Sequence, residues 1–585
     1  MKFKYIAMSA ALGLATLSSC SDFLDKSPDT RVYLQTVEQL RQLMVDGYSS
    51  TSIACVGELS SDNVIDNNSP SDAGVRYNRP SYAAADDQLY KWEAVTMGQD
   101  NDTPTGAWEG CYGAIAVCNA VLEKVNEFET TGQTYNGPLT QEEKDKLSAI
   151  KGEALVSRAW HHFILANLFC MPYAGPELSK AQQGIPYVTA PETTVKPHYE
   201  RGTLANVYEC IENDLKAGLP LINDGLYEVP KYHFNKAAAN AFAARFYLYK
   251  RDYEKVVKYA TDAFKGNEPA TMLNDIWSNN SFYYISDIGR YNTSMQRPNV
   301  WMCFTTYTTF WRRFVSSGRY ACNREAKRAT VQGPGPSWEN CRYQNSRTKE
   351  SFAMMPCFNG YCGTAGGQEY GTYFGGNSFE QFEYTDKIAG IGYPHIVQRL
   401  FTCAELLLER AEAKIMLGQC SEGAQDIMLY WNSAYDSFCE KDKLAYAKNV
   451  VPMTEESLLS YYSKSSTPNT LPDWTTWTSQ ISPSFVVPED AVPYMNCVND
   501  IRRYETSFEG LRFFDLKRWG LTYKHTMGLH SDLYISEANS NVRALELPWE
   551  SIASGLEKSR NTVQDDPATR KMTLNKNAFV YKPAE

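Results

Sequence analysis

Residues 234–264 read FNKAAANAFAARFYLYKRDYEKVVKYATDAF, and the spacing within this stretch decides the fold. Alanines at 237, 238, 239, 241, 243 and 244 give its first half high helix propensity and a smooth face. Lys250-Arg251-Asp252 marks a turn, after which Tyr253, Val256, Val257, Ala260 and Phe264 recur at helical spacing. Two antiparallel helices follow, with small residues on one facing large residues on the other. Ala260 and Phe264 fit the second helix of a tetratricopeptide-type pair. The same reading extends outward. Residues 108–125 (WEGCYGAIAVCNAVLEKV) set Trp108, Tyr112, Ile115, Cys118, Val121 and Leu122 on one face. Residues 147–169 form another helix, stopped by Pro172, and a further helix pair is expected at 397–417 and 422–435, turning at Leu417-Gly418. The expected fold is mostly α, a scaffold of tetratricopeptide-like helix pairs with a large irregular loop and short-strand insertion carrying the binding face.

That insertion spans 271–395, between an N-terminal part at 20–270 and a C-terminal part at 396–585. Of its 125 residues, 24 are aromatic and 13 are glycine. Clusters such as Gly333-Pro334-Gly335-Pro336, Gly366-Gly367 and Gly375-Gly376-Asn377 punctuate it. Residues 60–102 and 465–493 are irregular as well. The whole chain holds 39 Tyr, 25 Phe and 12 Trp, more rings than a core alone readily needs. An exposed ring offers its face to the C–H side of a sugar while nearby Asn, Asp, Gln or Arg bond the hydroxyls. The same rings would hold the apolar side chains of a peptide. Loops held by a rigid scaffold are where binding concentrates.

The start of the chain carries an address. Lys2 and Lys4 precede an apolar stretch at 6–17 that is too short to span a bilayer, and Leu17-Ser18-Ser19-Cys20 is a lipobox. Residues 1–19 are expected to be removed as a signal peptide, leaving Cys20 as the lipidated first residue. No later run approaches the ~18 apolar residues of a membrane helix, so lipid is the expected attachment. The formal net charge of −11, without a long Lys/Arg run, argues against nucleic acid as a partner.

Catalytic signatures are missing. No phosphate-cradling GxxxxGK[ST], strand-linked GxGxxG, HExxH or GxSxG pattern occurs. The 15 cysteines form no CxxC pair and the seven histidines are scattered, so neither metal nor cofactor is expected. Cys303, Cys322, Cys341, Cys357 and Cys362 are the nearest pool for oxidation in an exported protein. His161 and His162 point about 100° apart on a helix and read as a packed pair rather than two ligands of one ion. A glycosidase needs two placed carboxylates, and no acidic residue occupies an obvious strand-end setting for one. The expectation is a binding protein with no catalytic residues.

Six ordered blocks then resemble a known family. Cys20-Ser21-Asp22-Phe23-Leu24-Asp25 with Pro28 is the first, and Glu58-Leu59-Ser60-Ser61-Asp62-Asn63 the second. Gly152-Glu153-Ala154 through Arg158-Ala159-Trp160-His161-His162-Phe163, with Gly184-Ile185-Pro186-Tyr187-Val188, is the third. Asn235 through Leu248 and Arg399 through Ala413 follow, and Ile501-Arg502-Arg503 with Phe508 through Gly520 (FEGLRFFDLKRWG) closes the series. Together these are similar to the SusD/RagB family of nutrient-binding outer-membrane lipoproteins. The resemblance implies one α-helical domain over 20–585, built on four tetratricopeptide-like pairs with a variable ligand face. It also implies a SusC-like TonB-dependent barrel as partner, an outer-membrane, cell-surface location, and an oligosaccharide or sometimes a peptide as ligand, bound and delivered uncut. By the same resemblance the ligand-binding rings are Tyr77 and Tyr82, and Tyr307, Phe310 and Trp311. Glu153 with Arg158, Arg410 with Glu412, and Arg512 with Asp515 are expected as ion pairs that hold the scaffold.

Overall fold

Side-chain caps set the helix ends in the computed structural model of the chain. It describes residues 34–69, 80–194, 197–277, 298–314, 319–321, 380–435, 451–463, 485–528, 532–536, 540–559 and 580–582, with fragments at 336, 343–344 and 351–352. The lipobox, Cys20 and the segment at 1–19 lie outside the described residues. Helix α1 (Ala54–Ser60) is buried at every position. Helix α2 (Pro104–Thr131) begins where the Thr103 side chain accepts the Gly106 N–H and Pro104 supplies a preset φ; it ends at Gly132 with φ 70°. Helix α3 (Gln141–Phe169) opens with a capping box between Thr140 and Glu143. Helix α4 (Leu204–Gly218) follows, with Thr203 as its cap.

The stretch at 234–264 folds as two helices. Asn235 caps helix α5 (Lys236–Lys250), Arg251 turns the chain in the left-handed conformation (φ 65°), and Asp252 caps helix α6 (Tyr253–Ala263). Ala238, Ala239, Ala241, Ala243 and Ala244 are all buried and lie on every side of the helix, so their small size lets neighbours approach closely all round. Phe242 meets the Trp160 ring edge-on at 5.2 Å.

Beyond this point the chain forms a sheet. Strand β1 (Val300–Tyr307), strand β2 (Glu380–Asp386) and strand β3 (Ile391–Thr402) make an antiparallel sheet in the order β1-β3-β2. The helix expected at 397–417 is therefore corrected at its start. Residues Ile396 and Val397 pair with Thr306 and Thr305 as strand, and the helix begins only at Cys403. Buried, β-branched Ile396 and Val397 pack better in a pleated sheet, and Thr402 ends the strand by accepting the Glu405 N–H as a helix cap. Helix α7 (Cys403–Met416) then pairs with helix α8 (Cys420–Tyr435). Helix α9 (Val492–Glu505) packs on α7, and helix α10 (Leu511–Trp519) packs on α1. The last contact is backbone against backbone. A Cβ on Gly57 would sit 2.3 Å from the Gly510 carbonyl oxygen, and Gly510 itself has φ +80°. One core runs through these elements from Ala54 to Leu547, with a smaller cluster of Leu40, Met44, Val121, Val125 and Leu147 at the N-terminal end. The architecture is mostly helical. Among the described residues, no helix is long and apolar enough to cross a membrane.

The scaffold charges are paired, but not with the partners expected. Glu153 accepts from the Tyr48 hydroxyl at 2.5 Å and from His233 at 2.7 Å, whereas Arg158 pairs with Asp214 at 2.7 Å. Arg410 pairs with Asp426 and Glu412 with Arg518. Arg512 pairs with Asp62, and Asp515 with Arg502 and Arg518. Close neighbours along a helix can satisfy one another, but burial rewards partners that arrive from other elements and seal the packing. Both histidines are packed as expected. His161 donates Nδ1–H to Ser157 O at 2.8 Å and accepts the Ser49 N–H at Nε2; His162 does the same with Arg158 O and the Val188 N–H. Burial pulls their pKa values down to about 4 and about 3.

Candidate functional site

Tyr307 ends β1, where its N–H donates to Ser50 O and the following Thr308 N–H donates to Pro394 O. The register places Tyr307 opposite His395 on β3, His395 opposite Gln381 on β2, and Tyr393 opposite Glu383. Paired positions share a sheet face and alternate along each strand. Tyr307, Tyr393, His395, Gln381 and Glu383 therefore line one face. The Tyr307 and Tyr393 rings cross at 74° with centroids 6.0 Å apart, and the Tyr307 hydroxyl donates to Glu383 Oε2 at 3.3 Å. The Glu383 carboxylate and partial burial both raise the Tyr307 pKa. Tyr393 is 58% exposed, so its ring is open to a ligand. On the opposite face Phe382 and Tyr384 touch edge-on at 4.9 Å, and Tyr384 is 52% exposed. Asp386 steadies the tip of the hairpin by accepting the Ile388 and Ala389 N–H groups.

The segment at 60–102, expected to be irregular, holds a short helix at Ala84–Tyr90 and supplies further contacts to the chain beyond Tyr307. Asp102 accepts from Thr308 Oγ1 at 2.5 Å, from Thr309 N at 2.7 Å and from Thr309 Oγ1 at 2.7 Å, which fixes the chain just beyond Tyr307. Arg313 is held by Asp86, by Asp100 at 3.4 Å and by Thr309 Oγ1 at 3.0 Å. Arg319 bonds both oxygens of Asp66 at 3.0 Å and reaches Asp87 at 3.2 Å. Burial pushes the Asp86 pKa up to about 6 despite its guanidinium partner. Tyr82 lies over this network, with the Arg313 guanidinium 5.3 Å from its ring centroid, and is 48% exposed. Its own segment is tied to the C-terminal part of the chain. The His525 ring stacks on Tyr90 at 4.1 Å and on Trp92 at 4.3 Å.

The five rings expected to bind ligand thus have different fates. Tyr82 and Tyr307 are accessible; Tyr82 lies against Arg313, and Tyr307 precedes Thr308 and Thr309, which Asp102 holds. Phe310 is corrected: it is fully buried, packed on Phe314 at 5.1 Å and on Phe508 at 5.8 Å, so it is core. Trp311 lies in the short helix Phe310–Phe314, but its side chain and Tyr77 lie outside the described residues. Sequence reasoning missed Tyr393, Tyr384 and Glu383, folding them into the irregular insertion. The signal was present in the alternation of EQFEYTD and IGYPHIV around Lys387 to Gly390. Among the described residues no group of three or more His, Cys, Asp or Glu is arranged to hold a metal ion.

Comparison with known proteins agrees with this architecture. A SusD-like family model, described as starch-binding and associating with the outer membrane, matches residues 22–248. No curated protein matches the chain. A SusD superfamily protein of Bacteroides vulgatus aligns with a TM-score of 0.54 at 16% identity, over 90% of this chain and 97% of its own. One from Bacteroides fragilis has a TM-score of 0.54 at 12% identity, covering 90% and 99%. One from Bacteroides thetaiotaomicron has a TM-score of 0.51 at 16% identity, covering 90% and 100%. At such identities the likeness speaks for the fold alone, and it runs the length of the chain. The family match covers residues 22–248, and the likeness of fold to SusD superfamily structures continues beyond it.

Proposed function

We propose that this protein is a cell-surface lipoprotein that captures an oligosaccharide and passes it to a SusC-like TonB-dependent barrel in the outer membrane, without cleaving it. Residues 1–19 are the signal peptide in this reading, Cys20 carries the lipid, and 20–585 form one domain whose ligand face includes the 271–395 insertion. The observation that carries the reading is the crossed pair of Tyr307 and Tyr393, open on one sheet face beside the Glu383 carboxylate. Ring faces take up the C–H surface of a pyranose, and the carboxylate and Gln381 amide accept or donate hydrogen bonds to its hydroxyls. The description of the matched family, starch-binding and outer-membrane associated, supports both halves of the proposal.

Tyr82, Tyr307 and Tyr393 are the proposed stacking rings, with Tyr77 and Trp311 joining them from the same two segments. A glycan and peptide array on the form lacking residues 1–20, repeated with Tyr307→Ala and Trp311→Ala, tests the site. Unchanged binding in both variants removes the site from this face. Preference for peptides over every glycan would transfer the ligand class to the family's other substrates. Turnover of a bound glycan, abolished by one Asp or Glu substitution, would make the protein an enzyme. Pull-down from solubilised membranes should bring a large β-barrel with it.

A further inference from the structure

Strand β2 reads EQFEYTD, with three carboxylates and no cation in seven residues. Glu383 is the one whose position matters. It is exposed, sits opposite Tyr393, and accepts the Tyr307 hydroxyl, so a negative charge stands beside the two crossed rings. Among the described residues, the arginines of the adjoining network are committed to other carboxylates. Arg313 faces Asp86, Asp100 and Asp102, and Arg319 faces Asp66 and Asp87, so five carboxylates surround two guanidiniums. A fixed charge beside a binding surface disfavours ligands of the same sign.

The geometry points to an uncharged oligosaccharide as the ligand class, with Glu383 as the residue that turns polyanionic glycans away. The inference rests on the carbohydrate reading above and narrows it. A neutral sugar brings hydroxyl donors that a carboxylate accepts. A uronate or sulfate ester brings a second anion to the same place, with Arg313 and Arg319 already committed.

The test uses the full-length chain in detergent and pairs of probes with one backbone each: unmodified glucan, mannan, galactan and xylan, and the sulfated derivative of each. Affinity is titrated at low ionic strength for the unsubstituted protein, Glu383→Gln and Glu383→Lys. The unsubstituted protein should bind at least one neutral backbone about ten-fold or more tighter than its sulfated form. Glu383→Gln should weaken the neutral ligand through the lost carboxylate acceptor yet reduce that ratio, and Glu383→Lys should reduce it further, an effect on the ratio that high salt removes. Equal or tighter binding of the sulfated form by the unsubstituted protein overturns this inference and leaves the carbohydrate reading standing. A ratio unmoved in both variants removes Glu383 from the role. Failure of every probe, neutral and sulfated, overturns the carbohydrate reading and this inference with it.

Discussion

Arg512 closes a two-pronged ion pair on Asp62, Nε to Oδ1 at 2.7 Å and Nη2 to Oδ2 at 2.9 Å, with both side chains buried and 450 positions of chain between them. Around it Arg503 donates to Asn63 Oδ1 at 2.8 Å and to Asp62 O. Burial pushes the Asp62 pKa up, but Arg503 and Arg512 together hold it well below the usual carboxylate range. The pair joins the segment that leads into the candidate binding face to the C-terminal helices. Removing one partner of a buried pair strands the other charge, which costs about 3–5 kcal/mol. Arg512→Met should lower stability by that order in a denaturant titration, and a loss below about 1 kcal/mol would show that water already reaches Asp62.

Glu58 gives a pH dependence of definite sign. Asn63 and Gly510 each donate to one of its oxygens, yet burial raises its pKa from 4.5 to about 7. The folded state therefore holds the proton more tightly than the unfolded chain. The stabilisation is complete below pH 4.5 and is lost as pH rises to about 7. Glu58→Gln is less stable overall, because its amide cannot accept from both donors. Its loss of stability between about pH 5 and about pH 8 should nonetheless be smaller than that of the parent, by on the order of 2 kcal/mol. Parallel pH profiles for the two proteins would contradict the assignment.

Tyr307 and Phe310 lie three residues apart and should respond in opposite ways. Tyr307→Ala should weaken glycan binding by about 2 kcal/mol while changing stability by less than about 0.5 kcal/mol. Phe310→Ala opens a cavity against Phe314 and Phe508 and should cost about 3–5 kcal/mol of stability. Calorimetric melting and isothermal titration on both variants separate the two roles. A Phe310→Ala protein that melts normally but no longer binds would return that ring to the ligand face.

Anchoring is expected to depend on a single atom, the Cys20 sulfur. Cys20→Ala should leave the circular dichroism spectrum unchanged and move the protein out of the membrane fraction once any barrel partner is absent. Intact mass of the parent should show a chain beginning at Cys20 with lipid attached. Retention of the variant in a partner-free membrane would reveal a second attachment.

Helices at 108–125, 147–169 and 234–264 were legible because local spacing alone creates an apolar face, and the caps at Thr103, Thr140, Asn235 and Asp252 lie beside it in sequence. The start of α7 was misplaced because Ile396 and Val397 suit either period until β1 arrives, from almost a hundred residues earlier, to pair with them. Aromatic wealth in 271–395 marked a region, and Tyr82 and Tyr307 are accessible where it meets 60–102. Burial separated Tyr307 from Phe310, a distinction made by the contacts of Phe508 and Phe314 and invisible to residue type. The charged blocks followed the same division. Arg158, Arg410 and Arg512 could be recognised as scaffold from their setting, but Asp214, Asp426 and Asp62 became their partners through packing, since a buried charge is satisfied by whichever element the fold brings within hydrogen-bonding distance.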